Sequence, residues 1–242
     1  MDGGAPSAPS TSPLRWGIPD AALAWFVSMV AAALALAPFY DTVAKEIPQS
    51  DEAIATFVGL VLQTAAAVGA LVFVARSKGL GSPARDFGLR LGLTDIAWVP
   101  AGLVLGGVAT ALLAPIIELG DIDQESQDVR RIFNDATNLD LALLIVGVLV
   151  IAPVGEELLF RGALLRGLVR RVPVWPAIFI SAMAFALIHV VLDVGTGFGV
   201  PALLLLGLVS GWRAIQTLRL GQSIALHCGF NLLVVLAELS GV

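Results

Sequence analysis

Apolar residues run along this chain in long blocks, parted by short stretches rich in charge, glycine and proline. A helix needs about 20 mostly apolar residues to cross the hydrocarbon core of a bilayer. On that ruler the blocks predict spans at 21–40, 53–75, 96–119, 139 to about 170, 175–192, 200–215 and 223–239. Seven spans is the expectation, within one, because the fourth run is long enough to break into a span plus a surface helix and the sixth is short. The fold class is therefore all-α, a polytopic transmembrane helix bundle. No internal repeat stands out.

Composition agrees: 57% hydrophobic and 14% charged residues, with a mean hydropathy of +0.90, exclude an ordinary soluble domain. The net charge of −5 is spread over the loops and suits neither nucleic acid nor a polybasic lipid anchor. Basic residues set the orientation. Arg76, Lys78, Arg85 and Arg90 fill the second connection, Arg166, Arg170 and Arg171 the fourth, and Arg213 and Arg219 flank the sixth turn. The intervening loops, 41–52 and 118–138, are acid-rich and hold only Lys45, Arg130 and Arg131. A cytoplasmic N-terminus and an outside C-terminus place every arginine loop inside. Residues 1–20, rich in Pro, Ser, Gly and Ala, read as a disordered cytoplasmic tail before a membrane domain at 21–242. They lack the basic start of a signal peptide, so the first helix is expected to be retained. Trp98, Trp175 and Trp212 fall near span ends, where an amphipathic ring suits the interface. The single cysteine, Cys228, rules out an internal disulfide and reads as a small packing residue.

Against this apolar background a few polar residues stand out. Glu156, Glu157 and Arg161 lie in IAPVGEELLFRGALL, and the chain's two histidines are His189 in AMAFALIHVVL and His227 in SIALHCGFNLLVV. A charge at the centre of a membrane helix costs about 2.5–3.5 kcal/mol on insertion scales, so such groups are expected to face one another inside the bundle. Glu157 and Arg161 are four apart and stack as an ion pair. Glu156 points about 100° away and is left free as a base or ligand. Phe185 with His189, and His227 with Asn231, repeat the same spacing on the fifth and seventh spans. Taken singly, each cluster has a plain reading: a structural clasp, a satisfied core histidine, or a hydrogen bond that glues helices.

Together they supply the parts for water-activated acyl hydrolysis. A glutamate accepts the proton of water, a histidine shares it and returns it to the leaving amine, and an imidazole with a carboxamide stabilises the oxyanion. Glu156, His189 and His227 are equally able to hold a divalent metal such as zinc. Sequence leaves both open. Ser181, Ser210 and Ser223 lack a GxSxG setting, and Cys228 points away from His227, which argues against a nucleophile–base pair. Depth is the tightest condition. Glu157 and His189 each lie about 20 Å from the arginine side but His227 only about 8 Å, so a tilted helix or a loop dipping into the membrane has to close the gap.

The three clusters, EELLFR at 156–161, FALIH at 185–189 and HCGFN at 227–231, resemble the EExxxR, FxxxH and HxxxN motifs of the CPBP family. That family comprises CAAX prenyl endopeptidase-like intramembrane proteases and bacteriocin-processing or immunity proteins. The resemblance covers about 82–239, including the stretch DFGLR at 86–90. It implies a helical intramembrane endopeptidase, with a polar chamber between the fourth, fifth and seventh helices, cutting near the C-terminus of a lipidated or membrane-associated peptide. Glu156 with His189 would activate water, His227 with Asn231 would form the oxyanion site, and Glu157, Arg161 and Phe185 would support them. A metal in such proteins is an open point. The Ala-, Gly- and Leu-rich composition suggests a bacterial cell-membrane member acting on a peptide or membrane-protein segment, with lipid as its other partner.

Two other classes fit the same residues. A non-catalytic immunity or scaffold protein would keep the polar cluster for folding, and a proton-coupled transporter would use it as a relay. Polar motifs confined to the second half, without matching halves, count against the transporter. The first two spans carry few polar side chains and are assigned packing or anchoring only.

Overall fold

The computed structural model describes residues 14–120, 132, 133, 135, 136, 138–192 and 199–240. Among them run seven long helices: α1 (Ile18–Leu36), α2 (Glu52–Lys78), α3 (Val99–Gly120), α4 (Leu139–Leu168), α5 (Val174–Leu192), α6 (Val200–Thr217) and α7 (Gly221–Ser240). Six stretches are long and apolar enough to cross a membrane, and Val174–Val190 of α5 is a shorter apolar helix. This is the polytopic bundle of about seven spans that the hydropathy pattern predicts. The fourth run does not break into a separate surface helix; it continues through two π-helical stretches, Gly147–Ile151 and Leu158–Leu165.

The expected tail differs from expectation at its inner end. Residues 1–13 lie outside the described residues, but Trp16 is only 3% exposed, so the chain is held before α1 begins. Its indole Nε1 donates to Asp86 Oδ1 at 2.9 Å, and the Arg15 amide donates to the Lys78 carbonyl at 2.9 Å. Composition could not show this, because the anchor is a single aromatic residue whose partner lies 70 positions away. Arg170 bonds the Trp16 carbonyl, Arg219 pairs with Asp95, and Arg213 bonds Gln222. The basic connections thus meet at one end of the bundle. At the other end Gln49 donates to Asp135, and Asp41 accepts the Ala44 and Val43 amides, which hold its carboxyl below the usual carboxylate range.

α1 packs on α2, α3 on α7 and α5 on α6, while α4 runs between them and touches α1, α2, α5 and α7. Small residues permit the closest crossing. A Cβ on Gly102 would sit 2.0 Å from the Leu226 carbonyl oxygen, and one on Gly229 would sit 2.0 Å from that of Val99. Gly102 and Gly106 form a GxxxG pair, a pattern that lets membrane helices approach to backbone contact. Gly229→Leu is therefore expected to push α7 off α3 and to lower the yield of folded protein in size-exclusion chromatography. Gly107→Leu, where a Cβ meets nothing within 4 Å, is the matched change expected to leave it unaltered.

Candidate active site

The site begins with a proline in α4. The π-helical turn at Gly147–Ile151 closes with the Ala152 amide donating to the Gly147 carbonyl, five residues back. The next bond in that register would run from residue 153 to Val148, but Pro153 has no N–H. Within a membrane such a freed carbonyl has to find another donor. Asn231 of α7 supplies it, its Nδ2 lying 2.9 Å from the Val148 oxygen. Thr64 of α2 donates to the Ile151 carbonyl at 3.1 Å, and Ser181 of α5 to that of Phe160 at 2.9 Å. Three neighbouring helices are therefore tied to α4 around the Glu156–Glu157 turn.

Glu157 and Arg161 meet as expected, with Nη1 3.2 Å from Oε1 and both side chains fully buried. Glu157 Oε1 is also 3.1 Å from His227 Nδ1. The imidazole's other nitrogen, Nε2, faces Glu156 Oε2 at 3.6 Å. His189 is placed in the same sense: Nδ1 lies 2.7 Å from the Phe185 carbonyl oxygen, and Nε2 lies 4.0 Å from Glu156 Oε1. Phe185 is the common wall, in edge contact with both His189 and His227 at 4.8 and 5.6 Å and with the Arg161 guanidinium 4.4 Å above its ring. Glu156 and His189 keep partial access, with side chains 24% and 29% exposed, while His227 and Glu157 are sealed.

The hydrogen-bond demands of this arrangement are informative. Each Nδ1 faces an oxygen that can only accept, so each imidazole donates there and turns an Nε2 lone pair toward Glu156. Two lone pairs and a carboxylate then converge with no donor between them. A water molecule, with two hydrogens to donate, or a shared proton answers this excess of acceptors in part.

The depth problem is solved by burial of the start of α7. Leu220, Gly221 and Ser223 are buried, and the Leu220 amide donates to the Gly88 carbonyl at 2.8 Å. The segment from Asp86 to Trp98 covers that start, with Phe87 and Asp95 buried against the bundle. Gly88 needs its positive φ of 72°, and a Cβ there would meet Arg166 Nη2 at 2.1 Å. The resemblance's DFGLR stretch is thus the strip that lets α7 start inside the protein.

Beyond the packing or anchoring assigned to it from sequence, α2 borders the site. Gln63 and Thr64 lie with Glu156 on a cavity of about 10 Å³, room for about one water. An amide in the middle of an apolar span was the available signal, since intramembrane polar groups face the interior.

A carboxylate and two imidazoles are the donor types of a zinc site. Yet here the two Nε2 atoms flank opposite oxygens of one carboxylate, and no group of three or more His, Cys, Asp or Glu among the described residues is arranged to hold a metal ion.

A family model described as Rce1-like, "Type II CAAX prenyl endopeptidase Rce1-like", matches residues 138–233. That stretch holds α4 to α7 as far as residue 233, and with them Glu156, Glu157, Arg161, Phe185, His189, His227 and Asn231; α1 to α3 and the DFGLR strip fall outside it. The match agrees with the resemblance carried by the three motifs and supports a CAAX-type membrane endopeptidase. No curated protein and no solved structure matches the chain.

Proposed function

We propose that this chain is an intramembrane endopeptidase that hydrolyses a peptide bond near the C-terminus of a membrane-associated or lipidated peptide, using water activated by Glu156 and His189. One observation carries the reading: Glu156 has each of its oxygens turned to a different imidazole Nε2, at 3.6 and 4.0 Å, with access from outside. Structural clasps do not need that access. The buried Glu157–Arg161 ion pair is the clasp, and Glu156 is left for chemistry.

Charge balance supports the same division. Two carboxylates face one guanidinium, so a proton held among Glu156 and the imidazoles brings the buried cluster to neutrality. In the proposed reaction Glu156 takes a proton from water while the water oxygen bonds to the scissile carbonyl carbon. The carbonyl electron pair moves to oxygen, where an N–H of Asn231 and the Nε2–H of His227, on which that shared proton resides, receive it. Collapse breaks the C–N bond, and the proton on Glu156 passes to the leaving nitrogen beside His189. Pro153 prepares Asn231 for this task, because the Val148 carbonyl fixes one amide hydrogen and leaves the second free.

Cleavage of a membrane-tethered peptide by protein in nanodiscs, followed by mass spectrometry, tests the assignment. His227→Ala and Asn231→Ala are each expected to lower kcat roughly 10²- to 10³-fold, the usual effect of losing an oxyanion donor. Chelation with EDTA is expected to leave turnover intact. Loss of turnover with EDTA, restored by zinc, would move Glu156, His189 and His227 into a metal site.

A further inference from the structure

At the arginine-rich end of the bundle lies a cavity of about 220 Å³ between the residues before α1, the turn Pro83–Asp86, the end of α4 and the end of α6. Arg85, Arg161, Arg166 and Arg170 line it, against one acid, Asp86. That acid is already used: it accepts from Trp16 Nε1 at 2.9 Å and from the Leu80 amide at 2.9 Å. With Arg161 answered by Glu157 and one further charge by Asp86, the walls still carry a net positive charge.

The guanidiniums also keep open donors. Arg166 spends Nη2 on the Leu218 carbonyl at 2.7 Å, and Arg170 spends Nη2 on that of Trp16 while stacking 4.0 Å over its ring. Among the described residues the Arg85 side chain makes no hydrogen bond or ion pair. Arg161, 1% exposed, forms the floor. Although its Nη1 lies near Glu157, none of its three nitrogens makes a well-directed hydrogen bond among the described residues. Guanidiniums with unspent N–H groups on a cavity wall suit an acceptor-rich anion, and the planar forks of Arg85, Arg166 and Arg170 match phosphate oxygens.

Position and lining identify the carrier of that phosphate. The cavity lies at the ends of α4 and α6, where a membrane span meets headgroups, and the rest of its wall includes Leu14, Val169, Ile215 and Leu218. A free phosphate ion gains nothing from those side chains, whereas a glycerophosphate with the start of its acyl chains does. We propose that this cavity binds the phosphate of an anionic lipid headgroup, gripped by Arg85, Arg166 and Arg170 above Arg161. The proposal does not depend on the chain being a hydrolase.

The test uses the full chain in mild detergent, with phosphatidylglycerol and diacylglycerol of the same acyl chains as probes and native mass spectrometry and thermal unfolding as readouts. Phosphatidylglycerol is expected to persist as a one-to-one adduct and to raise the unfolding midpoint; diacylglycerol is not. Arg85→Glu, and the milder Arg85→Ala, are expected to weaken retention about tenfold or more, the scale of one charged hydrogen bond. Arg76→Glu, exposed at the same end but off the cavity, is expected to retain lipid normally. Equal retention by wild type and both Arg85 variants, or equal binding of the two lipids, would overturn the site. Protection by inorganic phosphate equal to that by phosphatidylglycerol would overturn the lipid as its source.

Discussion

Glu156→Gln is expected to lower kcat for peptide cleavage by roughly 10²- to 10⁴-fold, the range that a positioned general base supplies. The change keeps shape and volume, removes the proton acceptor, and leaves the Glu157–Arg161 and Glu157–His227 contacts in place. Because the Glu156 side chain is 24% exposed and is not Arg161's partner in the clasp, the unfolding midpoint is expected to stay within a few degrees of wild type. Loss of turnover with an unchanged midpoint isolates chemistry from folding. Undiminished turnover removes Glu156 from the mechanism. Full rescue of a cellular phenotype by the same variant would assign the chain to the binding or immunity class.

Arg161→Ala is expected to act in the opposite way, through stability. It strips the cation from a carboxylate with no solvent access, and breaking one side of a buried pair costs about 3–5 kcal/mol. The guanidinium also lies 4.4 Å from the Phe185 ring centroid, so its loss loosens the wall that both imidazoles lean on. Glu157→Gln combined with Arg161→Met removes both charges and is expected to recover much of that loss, because no unpaired ion remains. Lys78→Ala makes the contrast. That pair with Asp20 has a lysine side chain 47% exposed, and such surface pairs contribute about 0–1 kcal/mol. Thermal unfolding in detergent ranks the variants, and an Arg161→Ala cost as small as that of Lys78→Ala would remove the buried pair as the anchor of α4.

The spans were legible because one property, the length of an apolar run, decides whether a segment can cross a bilayer. The predicted bounds 53–75, 175–192 and 223–239 fall within three residues of helices at Glu52–Lys78, Val174–Leu192 and Gly221–Ser240. The site was legible for a related reason. Polar residues are so costly in these spans that Glu156, Glu157, Arg161, His189 and His227 had to meet, and spacing of four put Glu157 with Arg161. Less visible was the part played by α2, since Gln63 and Thr64 line a small cavity with Glu156 from a helix that otherwise looks like an anchor. Trp16 was hidden in a stretch whose average composition reads as a loose tail.

By itself, then, the sequence determined that this is a membrane helix bundle and which side chains cannot face lipid, because both follow from transfer energies summed along the chain. Only the tertiary structure decided who pairs with whom: that Glu157 serves Arg161 and His227 together, that Glu156 is shared by two imidazoles, and that Asn231 answers the carbonyl freed by Pro153. Those choices depend on the depth and rotation of one helix against another, which the 86–98 strip and the Gly102–Gly229 crossing fix and no local pattern records.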